Sequence, residues 1–336
     1  MTTTAYIDLS AFEHNVSSIA TQVAPAKLWL AIKSNAYGHG MLELADNAVK
    51  AGAVGLAVLD VPAALRLRAH GITATVFAWL HGAETDFEAA TSAGIDLGIS
   101  TFDHLEAVAR TSTQARVHLK VDTGLHRNGF SIADWPEACR RALELQSTGS
   151  ITVVGVWSHL ADAGDEADAA ALTVFDSALD VARTAGLSPE IVHIAASSAA
   201  LRNPIARHDV VRVGIAAYGI SPFDDVDGRG LGLKPVLTLR ATTATSHDGR
   251  VLDAGWRDGI PQVTPESGAW VGSEHVSVSG VAPLHTVLAA PTDSTEVDVI
   301  GGDGPTAEQW AAWINTIGDE IVTSIPAHVR RVFVRP

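Results

Sequence analysis

Apolar positions along this chain fall into short continuous runs, separated by segments in which they recur every three or four residues. The runs are "LWLAIKS" (28–34), "GLAVLD" (55–60), "TVFAWL" (75–80), "DLGIS" (96–100), "RVHLKVD" (116–122), "TVVGVWSHL" (152–160), "IVHIAAS" (191–197) and "VVRVGIAAYG" (210–219). Continuous apolar runs of this length read as strands covered on both faces. Segments such as "MLELADNAVKAG" and "FDHLEAVARTS" between them carry the helical spacing. Eight strands, each followed by a helix, predict an α/β fold, a (β/α)8 TIM-type barrel over residues 1–232. The first few residues are free to pair with whatever follows the barrel.

The pattern changes after "LKPVLTLRATTATS" (233–246). Short alternating runs follow, "HVSVSGVA" (275–282) and "EVDVI" (296–300), with Gly and Pro between them and one helix expected at "PTAEQWAAWINTIGDEIVTSI" (305–325). Residues 233–336 therefore read as a smaller, mostly-β C-terminal domain.

Composition removes several function classes. A net charge of −15 argues against nucleic acid or an anionic membrane surface as a partner. The one cysteine, Cys139, leaves no disulfide framework and no cysteine-based zinc site; no metal is expected. The opening "MTTTAYIDLSAFEHN" lacks the basic-then-apolar order of a signal peptide, and no run of about twenty apolar residues suggests a membrane span. A cytoplasmic protein acting on a small molecule is the expectation.

Polar residues gather where the predicted strands end. Lys33, in a chain with five lysines, ends the first and enters the Gly-rich turn "SNAYGHG". Lys120 and Asp122 end the fifth, His159 the sixth, Ser197 and Ser198 follow the seventh, and Arg212 lies in the eighth just before Gly214. Any one of these alone reads as a satisfied polar residue at a strand end. Five strands feeding the same rim read as a site, because barrel enzymes build their sites at that C-terminal face.

These segments resemble the alanine racemase family. "AIKSNAYGHG" looks like that family's pyridoxal 5'-phosphate (PLP) lysine motif, and "HLKVDTGLHRNGF" (118–130), "SHLADA" (158–163), "HIAASSAAL" (193–201), "VRVGIAAYGISP" (211–222) and the opening "AYIDLSAFEHNV" follow in the family's order. The resemblance covers the barrel nearly end to end and weakens in the second domain. It implies that Lys33 carries PLP as a Schiff base and is one of two acid/base groups for the substrate Cα proton. It implies that Tyr37, Ser198 and the amides near Gly214 and Ile215 hold the phosphate, and that His159 packs beside the pyridine ring and steadies Arg212. Arg212 would face the pyridine nitrogen, keeping it unprotonated and the ring a weaker electron sink. Arg127 matches an arginine that binds the substrate carboxylate. Lys120 matches a position often carbamylated, which would orient Arg127; pairing of unmodified Lys120 with Asp122 is the alternative. Such enzymes are homodimers acting on an amino acid, each second domain covering the partner's barrel mouth.

The departures matter as much as the matches. The family's second base is a tyrosine from the partner's second domain, ahead of a "GYADGYPR"-like motif. Here the tyrosines are Tyr6, Tyr37 and Tyr218, and none follows. The chain runs almost directly from 233–246 into "GWRDGIP" (255–261), the counterpart of that motif, so the tyrosine segment reads as deleted. Other entrance tyrosines correspond to Trp256 and Asp319, and "GVAPLHT" (280–286) places His285 where an aspartate is usual. Three readings follow: a racemase or epimerase whose second catalytic group is His285 or Asp319, with a substrate larger than alanine; a one-sided PLP catalyst of decarboxylation, elimination, aldol-type cleavage or stereoretentive exchange; and a PLP-binding protein without turnover. An ordinary loop histidine and a helix-surface carboxylate are the plain readings of His285 and Asp319.

Overall fold

The computed structural model describes residues 3–336 apart from 163, 247–248 and 291. Its contacts divide the chain into two compact units, Ser17–Lys33 with Gly52–Gly214, and Met1–Val16 with Ser34–Ala51 and Ile215–Pro336. The units interleave along the sequence.

The first strand, β1 (Thr4–Asp8), belongs to the second unit. The first unit contains the expected barrel. Its strands are β2 (Lys27–Ala31), β3 (Gly55–Val58), β4 (Thr75–Ala78), β5 (Asp96–Ile99), β6 (Ala115–Lys120), β7 (Ile151–Trp157), β8 (Ile191–His193) and β9 (Val210–Val213). All are parallel and pair in chain order, and β2 pairs with β9. The seam between β8 and β9 is drawn together by Asp209, whose amide donates to the Val192 carbonyl (3.1 Å) and whose carboxylate accepts from the Val192 amide (2.8 Å), and by the Arg212 amide, which donates to the Ala195 carbonyl (3.0 Å).

Strand interiors are buried throughout, as the continuous apolar runs require. The barrel is filled by Trp29, Phe77 and Trp157, with Phe77 at 5.6 Å from Trp29 and edge-on to Trp157 at 5.2 Å. Such volume needs empty space opposite it. A Cβ on Gly55 would lie 2.6 Å from Trp29, and one on Gly98 2.9 Å from Trp157. A Cβ on Gly155 would lie 2.0 Å from His118 Nδ1. Glycine at 155 is what lets β7 pass a buried histidine on β6.

Several strands stop short of their apolar runs. β2 ends before Lys33, since Ser34–Tyr37 take left-handed backbone angles (φ 50–57°) that no strand accommodates. β7 ends at Trp157, and β9 ends at Val213 before a 3-10 turn, Ile215–Tyr218. The polar rim residues thus sit on loops that continue the strands.

The second unit is mostly β. β1 pairs antiparallel with β10 (Leu237–Ser246) and parallel with β16 (Arg330–Val334). Four more strands, β11 (Gly249–Leu252), β12 (Trp270–Val271), β13 (Val276–Val281) and β14 (Thr286–Leu288), extend the sheet, and β15 (Glu296–Ile300) pairs with β10. The single helix expected over 305–325 is two, Ala307–Ile314 and Gly318–Thr323. Asn315, left-handed at φ 57°, ends the first, a position that asparagine tolerates better than most residues.

Gly155→Ala is expected to destabilise the protein by about 3 kcal/mol or more, the upper end for overpacking, because the new methyl meets a fixed ring rather than a flexible chain end. Urea denaturation checks this; a change under 0.5 kcal/mol would show that His118 can move aside.

Candidate active site

Arg212 on β9 is buried and makes four neutral hydrogen bonds. Its Nη1 donates to His193 Nδ1 (2.7 Å), and its Nη2 contacts the carbonyls of Ser158 (2.8 Å) and Ile194 (3.0 Å) and His159 Nδ1 (3.1 Å). Burial, with Arg127 adding repulsion, pushes its pKa down to about 9. The guanidinium remains charged at neutral pH.

His159, half-buried just past β7, is held well below its ordinary pKa, first by burial and then by Arg212, Arg127, Lys120 and Lys33. Four basic side chains, from the turn after β2, from β6, from the loop that follows it and from β9, therefore act on one neutral imidazole. In a chain of net charge −15 this concentration of positive charge prepares a place for an anion.

Lys120 ends β6. Burial, then Arg127 and Arg212, bring its amine down to about 7. Its Nζ donates to Asn128 Oδ1 and lies 5.0 Å from the Trp157 ring centroid. Asn128 and the exposed Arg127 are carried on a loop pinned where the Asp122 amide donates to the Phe130 carbonyl and the Phe130 amide to the Lys120 carbonyl, both 2.9 Å. Asp122, the alternative partner for Lys120, instead accepts from the Gly124 and His126 amides (3.1 and 3.0 Å) and pairs with His126 Nδ1 (2.8 Å).

Lys33 is half-buried and opens the left-handed turn. A left-handed residue costs about 1–2 kcal/mol, and four in succession persist only when their surroundings over-determine them. In the second unit the turn is held by amide donation from Gly38 to the Ser34 carbonyl (2.9 Å) and from Gly40 to the Asn35 carbonyl (3.0 Å), by the Met41 amide to Asn35 Oδ1 (2.9 Å), and by Arg331 Nε to the Gly38 carbonyl (3.0 Å). His39 adds a buried ring whose Nδ1 lies 3.0 and 2.9 Å from the carbonyls of Ala36 and Tyr37; burial holds this imidazole neutral, with a pKa of about 4. Tyr37 is buried against Tyr218 (centroids 5.0 Å apart), and its hydroxyl is pushed far above its usual range by burial and by Asp319. It stays a neutral donor.

The hydroxyl at the Gly214 amide belongs to Ser197, which accepts from it at 3.0 Å; Ser198, the expected one, is the neighbouring half-buried residue. Ile215 opens the 3-10 turn that follows. His285 is half-buried on the connection between β13 and β14, where its carbonyl accepts from the Ala282 amide (2.8 Å). Asp319 lies in the first turn of Gly318–Thr323. Sequence reasoning gave no role to Asn128, His118 and His193. The signal for the last two was a histidine inside each of two otherwise apolar strand runs.

Together these features define a TIM-type barrel with a cation-lined, lysine-bearing rim and a smaller β domain. A model of the alanine racemase N-terminal domain matches residues 7–222. The alanine racemase of Thermobifida fusca is 37% identical over 366 aligned residues, covering 98% of this chain and 97% of the relative, and that of Salinispora arenicola is 38% identical with 94% of each covered. The crystal structure of alanine racemase from Streptomyces lavendulae superposes with a TM-score of 0.92 at 33% identity, over 100% of this chain and 98% of the other. This chain belongs to the alanine racemase family, whose enzymes use PLP. No described helix is long and apolar enough to cross a membrane, and no metal-ligand cluster occurs among the described residues.

The lowered pKa of Lys120 has a consequence. A neutral amine adds CO2 and an ammonium does not, so a carbamate on Lys120 is expected to accumulate as pH rises through about 7. Labelled bicarbonate and carbon-13 NMR should show a signal stronger at pH 8 than at pH 6 and lost in Lys120→Met. No signal at pH 8, or one surviving the substitution, would contradict it.

Proposed function

We propose that this protein is a PLP-dependent amino-acid racemase in which Lys33 serves one face of the substrate and a group other than a tyrosine serves the other. The observation that carries the cofactor reading is the buried Arg212, whose guanidinium is held by His193, His159 and two backbone carbonyls and so keeps its charge for a ligand. The residues present fit PLP: a lysine at a strand end, a buried guanidinium, a serine beside a backbone amide, and a buried neutral tyrosine. Bound PLP supplies an electron sink for the electrons of the broken Cα–H bond.

The protein's own residues do the rest. The Lys33 amine takes or returns the Cα proton on its side. Arg127 binds the substrate carboxylate, and a carbamate on Lys120 would orient it. Ser198, Tyr37 and the amides near Gly214 and Ile215 would hold the phosphate, as the resemblance implies, and the Ser197 hydroxyl, accepting from the Gly214 amide, fixes the turn that carries them. Arg212 donates to the ring nitrogen, and His159 steadies Arg212.

The absence of any tyrosine after Tyr218 supports a changed second base. The match to the T. fusca enzyme runs over 366 aligned residues, whereas this chain has 336, so part of that relative has no counterpart here. Of the two candidates, Asp319 acts electrostatically on Tyr37, which ties it to the phosphate side. His285 is the better candidate for the second base, and loss of the entrance tyrosines to Trp256 and Asp319 favours a substrate larger than alanine. The same tyrosine count favours a second reading, one-sided exchange by Lys33 with retention.

Purified protein should be yellow, and borohydride should fix PLP to Lys33; label on another lysine, or none, would refute the site. A positioned acid/base group is worth about 10²–10⁴-fold. Alanine racemisation should therefore run at least about a hundredfold below that of family members with the tyrosine. In heavy water, His285→Ala should abolish racemisation while leaving deuterium exchange with retention. Full alanine racemisation surviving both His285→Ala and Asp319→Ala would overturn this account of the second base.

We also propose a homodimer, because the resemblance implies that each second domain covers the partner's barrel mouth. Light scattering should give twice the chain mass at micromolar concentration, and a monomer mass would refute it.

A further inference from the structure

Behind Arg212 the barrel interior holds a continuous polar chain. His193 Nε2 lies 3.0 Å from His118 Nδ1, and His118 Nε2 lies 3.3 Å from Asp96 Oδ2. Asp96 also accepts from Arg116 Nε (2.7 Å) and Nη2 (3.2 Å). Both imidazoles are fully buried among Trp29, Phe77 and Trp157, with His193 stacked on Trp157 at 5.7 Å. The chain begins at the ends of β8 and β9, crosses β6, and finishes at the first residue of β5.

Its polarity follows from donor and acceptor counts. Arg212 can only donate, so His193 Nδ1 accepts and the hydrogen of the neutral ring sits on Nε2. His118 must then accept at Nδ1 and carry its own hydrogen on Nε2, which donates to Asp96. Burial lowers the pKa of both histidines, so each carries one hydrogen at neutral pH. Burial works against the Asp96 charge, but hydrogen bonds from His118 and Arg116 hold its carboxyl below the usual range. Every ring nitrogen in the chain has a partner, and only one arrangement of hydrogens satisfies all of them.

We propose that Asp96, through His118 and His193, is a positioning residue that fixes the tautomer of His193 and thereby the direction in which Arg212 presents its remaining donors to the cofactor ring. This rests on the reading of Arg212 as the group facing PLP. A neutral amide at 96 could donate to His118 Nε2. Both rings could then reverse, bringing a His193 Nδ1–H against the guanidinium that now donates there. Asp96 is remote from the rim, yet it decides whether the acceptor Arg212 needs exists.

Selective nitrogen-15 labelling of histidine in the holoenzyme tests this. In the unaltered protein both His118 and His193 should be neutral with hydrogen on Nε2. Asp96→Asn should move at least one of the two hydrogens to Nδ1, shift the visible absorbance of bound PLP and speed its release by about tenfold, the loss of one hydrogen bond to a charged group. Asp96→Glu should restore the tautomers and at least part of the retention. A His193 that is protonated, or carries its hydrogen on Nδ1, in the unaltered protein would overturn the proposal even if no variant folds. So would an Asp96→Asn protein whose rings reverse while PLP release stays within twofold. Protein that takes up no PLP would instead defeat the proposed function, and the ring tautomers would still decide the relay.

Discussion

A guanidinium buried in a barrel without a carboxylate against it is the constraint around which this site is organised. Taking Arg212 out of water lowers its pKa to about 9, and at about 1.4 kcal/mol per unit that is a penalty of several kcal/mol. Two backbone carbonyls and two imidazoles offset it. A direct carboxylate would compensate more fully, but it would also neutralise the cation. Neutral acceptors leave the charge available to whatever binds in front of it. Among the described residues the first anion along the hydrogen-bond chain is Asp96, two imidazoles away.

That arrangement reaches into the packing. A histidine pair in the barrel interior needs room, and Gly155 supplies it where any Cβ would strike His118. Trp29, Phe77 and Trp157 then close around the pair and exclude water, which is what makes the choice of tautomer energetically costly to change. The left-handed turn after Lys33 is the complementary case. Its four strained residues are held through their own carbonyls, which accept from the amides that follow, and by Asn35 and Arg331, so the strain is confined to a short segment whose hydrogen bonds are nearly all local. One device sets a charge, the other sets the exit of the chain from the lysine.

The barrel was readable because strands buried on both faces leave unbroken apolar runs, and all eight appear where those runs lie. Their ends were less readable: "VVRVGIAAYG" looks uniform, yet the strand stops at Val213 because apolar composition does not distinguish a strand from a buried 3-10 turn. Lys33, Lys120 and Arg212 could be found from strand-end placement alone, whereas Arg127, on a loop, was reached only through the family resemblance. Sequence shows two adjacent serines after the seventh strand but not that the Ser197 hydroxyl is the one that accepts from the Gly214 amide. His118 and His193 looked like isolated core histidines, since nothing in sequence shows that β6 and β8 bring them within 3.0 Å. The helix expected over 305–325 failed at Asn315, whose left-handed backbone is locally favourable and outweighs an apolar pattern that continues across it.

The features proposed as retained and as altered are unevenly placed along the chain, and this has a chemical meaning. Lys33, Lys120, Arg127, His159, Ser197 and Arg212 all lie in the barrel unit. The proposed changes, from the lost tyrosine to Trp256, His285 and Asp319, all lie beyond residue 232. Holding a cofactor depends on many contacts whose contributions sum, so it tolerates the loss of one. Racemisation depends on two proton transfers on opposite faces, and a missing partner on one face is not repaired by better binding on the other. A chain can therefore keep the whole of its cofactor machinery while one direction of its chemistry is slowed or redirected. On the proposed reading Lys33 would still labilise the Cα proton, and the stereochemical outcome would turn on whether His285 or solvent supplies the proton on the far side.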